Sequence, residues 1–270
     1  MGNAGLSAER GSDTVGDRRA AAEVFPLPDG IDWHGVVGSD ADSVELKMLL
    51  ALDGAPVPTE TGRRRYARRV YLLDTPELDL CGVGVHVRVR RRGPRRFDLV
   101  VRVRDRDRVT GRRGPQDARV ELDVLPGNLL RTTELRRTVD PDTAVACLDD
   151  AAPPVRLLSD SQRRWLRTLL PEGTPETVLD ELVLHGPLTT RRYRVPRARF
   201  GVGRAFLEHC RYPSGLELRE LSVKCRPADA PRAAVALARF LADHRIEVAR
   251  GHRTKTALWI EEIRERQGAV

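Results

Sequence analysis

Val83 to Arg91 reads Val-Gly-Val-His-Val-Arg-Val-Arg-Arg, and Phe97 to Arg104 reads Phe-Asp-Leu-Val-Val-Arg-Val-Arg. In the first run Val85, Val87 and Val89 alternate with His86, Arg88 and Arg90. In the second, Leu99, Val101 and Val103 alternate with Val100, Arg102 and Arg104. Period two is the signature of a strand with one apolar face. On an ordinary half-exposed sheet the other face is a mixed, solvated set. Here it is a row of guanidinium groups, which repel one another when set side by side. Such a face makes sense around a polyanion.

The same pattern recurs on either side. Ser43 to Leu49 places Val44, Leu46 and Met48 on one face and Ser43, Glu45 and Lys47 on the other. Val70-Tyr71-Leu72-Leu73 is a further strand, led by the basic run Arg63 to Arg69 and followed by turn or helix-capping chemistry at Asp74-Thr75-Pro76. Ala118 to Val124 sets Val120, Leu122 and Val124 against Arg119, Glu121 and Asp123. Residues 105 to 117 read as a polar connection broken by Gly111, Gly114 and Pro115. Residues 140 to 170 read as helical, interrupted at Pro153-Pro154. Strands are expected again over Val178 to Leu184, Arg191 to Val195, Arg204 to Glu208 and Leu216 to Cys225, the last carrying Glu220, Ser222 and Lys224 opposite its apolar face. Ala233 to Asp243 and Leu258 to Arg266 read as amphipathic helices. Strands, a helical insert, more strands and closing helices point to an α+β chain, not a doubly wound parallel sheet.

If the sheet closes into a barrel, one face of every strand lines its interior. The arginines and lysines then form a cationic channel, and the interspersed carboxylates can hold a divalent cation. Guanidinium forks and ammonium groups suit phosphate oxygens, and hard Mg²⁺ or Mn²⁺ suits carboxylates together with phosphate.

The chain has 270 residues and a formal net charge of +8, which favours an anionic partner. Of its 47 basic residues only Lys47, Lys224 and Lys255 are lysine, and each stands in a patterned segment. Aromatic residues make up 4% of the chain, which leaves few stacking platforms and disfavours a nucleic-acid binder. No apolar run reaches membrane-spanning length, and neither a signal pattern nor a complete acylation motif opens the chain. Cys81, Cys147, Cys210 and Cys225 are scattered, so reduced thiols and a cytoplasmic location are expected. Cys225, Trp165 and Trp259 read as core.

In their order these segments resemble the CYTH, or triphosphate tunnel metalloenzyme, superfamily. Ser43-Val-Glu45-Leu-Lys47 is similar to its opening E-x-E-x-K strand, with Ser43 in place of the first glutamate. Tyr71 to Leu80 and Arg88-Val-Arg90 fall where the family has its aspartate-threonine-proline segment and R-x-R strand. Arg102 takes the place of a strand lysine, Glu121-Leu-Asp123 that of an acidic strand, and Glu217 to Lys224 that of a second. Thr254-Lys255 matches a late Ser-Lys element.

The resemblance implies an eight-stranded antiparallel barrel, a tunnel with helices packed outside, spanning residues 42 to 260. Residues 1 to 35 lack periodicity and are rich in Gly, Ala, Ser, Asp and Arg, so they read as a disordered leader, and 261 to 270 as the end of the last helix. The resemblance also implies metal-dependent hydrolysis of inorganic or organic triphosphates, with Mg²⁺ or Mn²⁺ as cofactor. Lys47, Arg88 and Arg90 are the catalytic candidates. Arg102, Arg104, Arg119, Arg192, Lys224 and Lys255 are the substrate-binding candidates, and Glu45, Glu121, Asp123 and Glu220 the metal ligands. Ser43 and Ser222 stand where acids are expected. A non-catalytic binder of triphosphate or polyphosphate and an adenylate cyclase of the same fold therefore remain alternatives.

Overall fold

The structure is a computed structural model and describes residues 31–60, 67–106, 114–196, 200–249 and 254–268. Nine strands close into a barrel: β1 Ser43–Leu50, β2 Arg68–Asp74, β3 Val85–Gly93, β4 Arg96–Arg106, β5 Arg119–Leu125, β6 Asn128–Val139, β7 Val183–Val195, β8 Arg204–Arg211 and β9 Glu217–Cys225. Around the barrel they follow the order β1-β5-β6-β4-β3-β2-β7-β8-β9, and β9 closes on β1. Closure leaves no sheet edge unpaired.

The expected barrel of eight antiparallel strands is thus corrected in two respects. There are nine strands, and β1 runs parallel to β5, with Ser43 opposite Glu121 and Glu45 opposite Asp123. The extra strand is β6, whose central residues Leu130 to Leu135 are buried on both faces. Its inward side carries Thr132 and Glu134, so the two-residue hydropathy rhythm is absent. The strand expected from Val178 does not begin there: Val178 and Leu179 lie in a 3-10 turn, Glu176–Leu179, and the strands expected over Val178 to Leu184 and Arg191 to Val195 are one strand, β7.

The apolar faces of the strands point outward and are covered by helices. These are α1 Trp33–Val37, α2 Asp79–Gly82, α3 Pro141–Leu148, α4 Asp160–Leu169, α5 Ala230–Asp243 and α6 Lys255–Gly268. Val44, Leu46 and Met48 of β1 share a core with Leu237 and Phe240 of α5. Val85, Val87, Leu99 and Val101 pack with Trp165 and Leu166 of α4. Leu72 and Leu218 are different: they share the inward phase of the cavity-lining Val70 and Glu220 and pack with Trp259 and Ile263 of α6 inside one end of the barrel. Each such side chain contributes about 1.5–3 kcal/mol when fully buried. That outer core offsets the cost of an interior filled with charge.

Ordered structure begins ahead of Asp42. Asp32 caps α1 by accepting from the Gly35 amide at 3.0 Å, and Val36 is fully buried. Residues 1–30 of the expected leader lie outside the described residues, as do Arg63 to Tyr66 and residues 107–113. α6 runs without a break through residues 260 and 261 and packs Ile263 against the barrel. The Asp74 turn does act as a cap: its carboxylate accepts from the Thr75, Leu80 and Cys81 amides at 2.9–3.0 Å. Among the described residues, no helix is long and apolar enough to cross a membrane.

Candidate active site

Because the valine and leucine faces turn outward, the alternate residues turn inward around a cavity of about 330 Å³. Among the described residues, eleven basic and five acidic side chains line it. Of the thirteen candidate site residues, all but Arg119 line this cavity. Arg119 is the first residue of β5, is exposed, and lies in a groove on the rim with Asp117 and Arg137. The register brings the charges together. Glu45 on β1 lies between Asp123 of β5 and Lys224 of β9, and Arg90 of β3 faces Asp98 of β4.

Glu45, Glu121 and Asp123 converge, each offering a carboxylate oxygen within 4.8 Å of the others. Lys47 bridges two of them, with its ammonium 3.0 Å from Glu45 Oε2 and 2.7 Å from Asp123 Oδ1. Lys224 pairs with Glu121, and Ser43 Oγ donates to the same carboxylate at 3.2 Å. Burial acts to raise Glu45, but Lys47, Arg192 and Lys224 outweigh it and hold the carboxyl below its usual range. Asp123 is lowered too: burial is opposed by Lys47 and Arg104. Glu121 goes the other way, raised by burial and by the negative charge of Glu45 and Asp123. Its Oε1 is buried without a hydrogen-bond partner. An all-oxygen cluster that still crowds negative charge fits a hard divalent cation. Glu220 is not part of that cluster. It lies opposite Glu208, and the Lys255 ammonium sits between them, 2.7 Å from Glu220.

The cations divide into two sets. Arg102 is held firmly charged: burial opposes it, but Glu134, 2.8 Å away, and Glu121 prevail. Arg88 is pushed down to about 9 by burial and by Arg104, Arg102 and Arg90. Arg90 is pushed down to about 10 by burial and by Arg136 and Arg102, although Asp98 lies 3.0 Å away and opposes the shift. An arginine does not shed its proton under ordinary conditions. Arg88 and Arg90 therefore stay charged side by side, at the cost of mutual repulsion. Lys47 is raised above the usual lysine range, its carboxylate neighbours outweighing burial, so it acts as a cation and not as a base. His86 is pushed down to about 2 by burial and three arginines and carries no charge.

Several lining residues lay outside the sequence reading. Arg92 continues the Arg88, Arg90 alternation and could have been read from it. Arg136 belongs to the unrecognised β6, whose Glu134 pairs with it and with Arg102 beside the cavity. Glu208 sits on a recognised strand, where only its pairing with Glu220 reveals its position. Trp259 is core as expected, at 1% exposure, and also borders the cavity.

No family model and no curated protein matches the sequence. Similar solved structures exist. A Hippeastrum protein described as an adenylyl cyclase candidate with a dominant triphosphatase activity is 16% identical, with a TM-score of 0.58 over 81% of this chain and 95% of its own. A Bacillus halodurans protein described as an adenylate cyclase candidate is 17% identical, with a TM-score of 0.50 over 80% of this chain and 95% of its own. The closed barrel is the fold that this chain shares with these two proteins.

Proposed function

We propose that the cavity binds the phosphate chain of a triphosphate and hydrolyses it with the aid of a divalent cation. The observation that supports this most is an enclosed cavity with a surplus of cations surrounding three crowded carboxylates. Arg88, Arg90, Arg104 and Arg192 would neutralise and orient the phosphate oxygens. Glu45, Glu121 and Asp123 would hold Mg²⁺ or Mn²⁺. The bound ion would supply Lewis-acid polarisation of a phosphoryl oxygen. With Lys47 protonated and His86 buried among arginines, the side chains offer position and electrostatics, which is what phosphoryl transfer chiefly demands. The barrel wall keeps bulk water from these groups and so strengthens each charge contact. The triphosphatase activity named for the Hippeastrum protein supports this reading. Four free cysteines, three of them buried, suit a cytoplasmic setting.

A second reading is a non-catalytic phosphate-chain binder. It is favoured by Lys47 and Lys224, which already neutralise the carboxylate cluster, and by Ser43, which supplies no carboxylate. A cyclase needs a base-recognising platform, and among the described lining residues only Trp259 is aromatic. Phosphate release from tripolyphosphate, polyphosphate and ATP, with Mg²⁺ or Mn²⁺ and with EDTA, tests the proposal. Release that EDTA abolishes supports the hydrolase. Binding without release under any metal supports the binder.

A further inference from the structure

Trp259 of α6 lines the barrel cavity and also borders a separate groove of about 530 Å³. Pro213, from the turn between β8 and β9, and Ile263 give that groove apolar walls, and Glu262 and Arg266 supply its charge. Residues 259, 262, 263 and 266 are three or four apart, which sets them on one face of the helix. Of these side chains only Trp259 reaches the barrel cavity.

Glu262 is a buried acid that the barrel chemistry does not use. Its side chain is 7% exposed. Oε1 accepts from the Ser214 amide at 2.6 Å. Oε2 is buried and has no hydrogen-bond partner among the described residues. A buried carboxylate is costly unless it is both paired and hydrogen-bonded. Among the described residues its ion-pair partner is Arg266, with Nη1 4.0 Å from Oε1. The Arg266 side chain is 62% exposed, so it meets the carboxylate from the solvent side and holds it loosely. Exposed side chains change rotamer on a picosecond to nanosecond timescale, so this one can give way.

These contacts set the chemistry that the groove accepts. A carboxylate oxygen without a donor suits a charged donor, which it would hold by a charge-assisted hydrogen bond. The apolar walls suit a hydrocarbon body. The protein's own group at this position is already an organic cation on an alkyl stem. The whole chain carries a charge of +8, so a cation bound here would be held by local contacts against the overall field.

We propose that this groove is a binding site for a small organic ammonium compound. The ammonium group sits on Glu262, the hydrocarbon body lies against Pro213 and Ile263, and Arg266 swings aside to admit them. The site is separate from the barrel cavity and needs no phosphate chain.

Ligand-observed NMR titration of the full chain with phenethylammonium tests this. Phenethyl alcohol, of similar shape without the charge, and phenylpropionate, of opposite charge, are the controls. The ammonium is expected to bind at least tenfold more tightly than the alcohol, and the carboxylate not at all. Glu262→Gln keeps an acceptor for the Ser214 amide and should weaken the ammonium at least tenfold. Arg266→Ala removes the competing cation at an exposed position and should tighten it at least threefold. The proposal is overturned if ammonium and alcohol bind alike, if Glu262→Gln leaves the affinity unchanged, or if neither the parent nor Arg266→Ala binds the ammonium. A blocked lysine carries the same head group as a side chain of another protein would. Tighter binding of blocked lysine than of phenethylammonium assigns the natural ligand to a partner's lysine, and weaker binding to a free amine. Either ranking supports the cation site.

Discussion

The ammonium of Lys47 lies 2.7 Å from the carboxylate of Asp123, tying β1 to the strand that runs parallel to it. Both side chains are largely buried, at 12% and 1% exposure. Removing one partner of such a pair leaves an uncompensated buried charge. Lys47→Met should therefore cost about 3 kcal/mol in urea unfolding without metal. If the carboxylate cluster takes a divalent cation, Mn²⁺ should restore much of that loss and stabilise the variant more than the parent. Equal Mn²⁺ responses in the two proteins would speak against a metal on this cluster.

Binding and metal recruitment should separate by residue. Glu45→Gln is expected to abolish divalent-dependent phosphate release while leaving tripolyphosphate binding nearly unchanged. Arg90→Ala should instead weaken binding by about 1.5–3 kcal/mol, the range for a hydrogen bond to a charged group. Titration calorimetry beside a phosphate-release assay distinguishes them. The division is wrong if both variants lose binding alike.

Ser43 donates to Glu121 and is half-buried beside the cluster. Ser43→Glu adds a carboxylate where Lys47 and Lys224 already supply positive charge. Mn²⁺ should bind more tightly to this variant, since affinity for hard cations rises with ligand charge, and metal-dependent release should increase. An unchanged Mn²⁺ isotherm would place the metal elsewhere.

Acid should destabilise the fold in two stages. His86 faces Cys81, 3.4 Å away, and the guanidinium groups of Arg88, Arg102 and Arg104, and its pKa falls from 6.5 to about 2. The unfolded chain then takes up a proton that the folded chain refuses. Stability from this group is complete above pH 6.5 and is lost as pH falls toward 2, by about 1.4 kcal/mol per pH unit for one proton. Glu134 drops from 4.5 to about 2, because Arg102 and Arg136 outweigh burial, and its contribution is lost below pH 4.5. Urea midpoints between pH 7.5 and 4.5 should fall in the parent and fall less steeply in His86→Gln, where His209, also lowered by burial, remains. A parallel fall in both would assign the upper stage to another group.

The barrel was legible where each strand has one apolar and one charged face. β1, β3, β4, β5 and β9 all show that rhythm, and their inward residues meet in one cavity. β6 was not legible, because the wall of a filled barrel buries both faces and Thr132 and Glu134 replace the apolar beat. The parallel pairing of β1 with β5 is a property of closure, which no local pattern encodes. Arg119 shows the limit of parity: it has the inward phase, but strand position, not phase, decides whether a side chain reaches the cavity or the rim. Glu208 and Glu220 were individually visible, but their apposition across β8 and β9, with a lysine from α6 between them, depends on register.

The three lysines all line the cavity, and only Lys224, at its mouth, has a side chain nearly half exposed. Lysine-directed chemistry thus finds no handle on the outer surface. Acylating reagents, acetyl-transferring enzymes and lysine-specific proteases meet their residue only at the cavity. For this chain, a mass shift at Lys224 reports directly whether the mouth of the tunnel is open or filled.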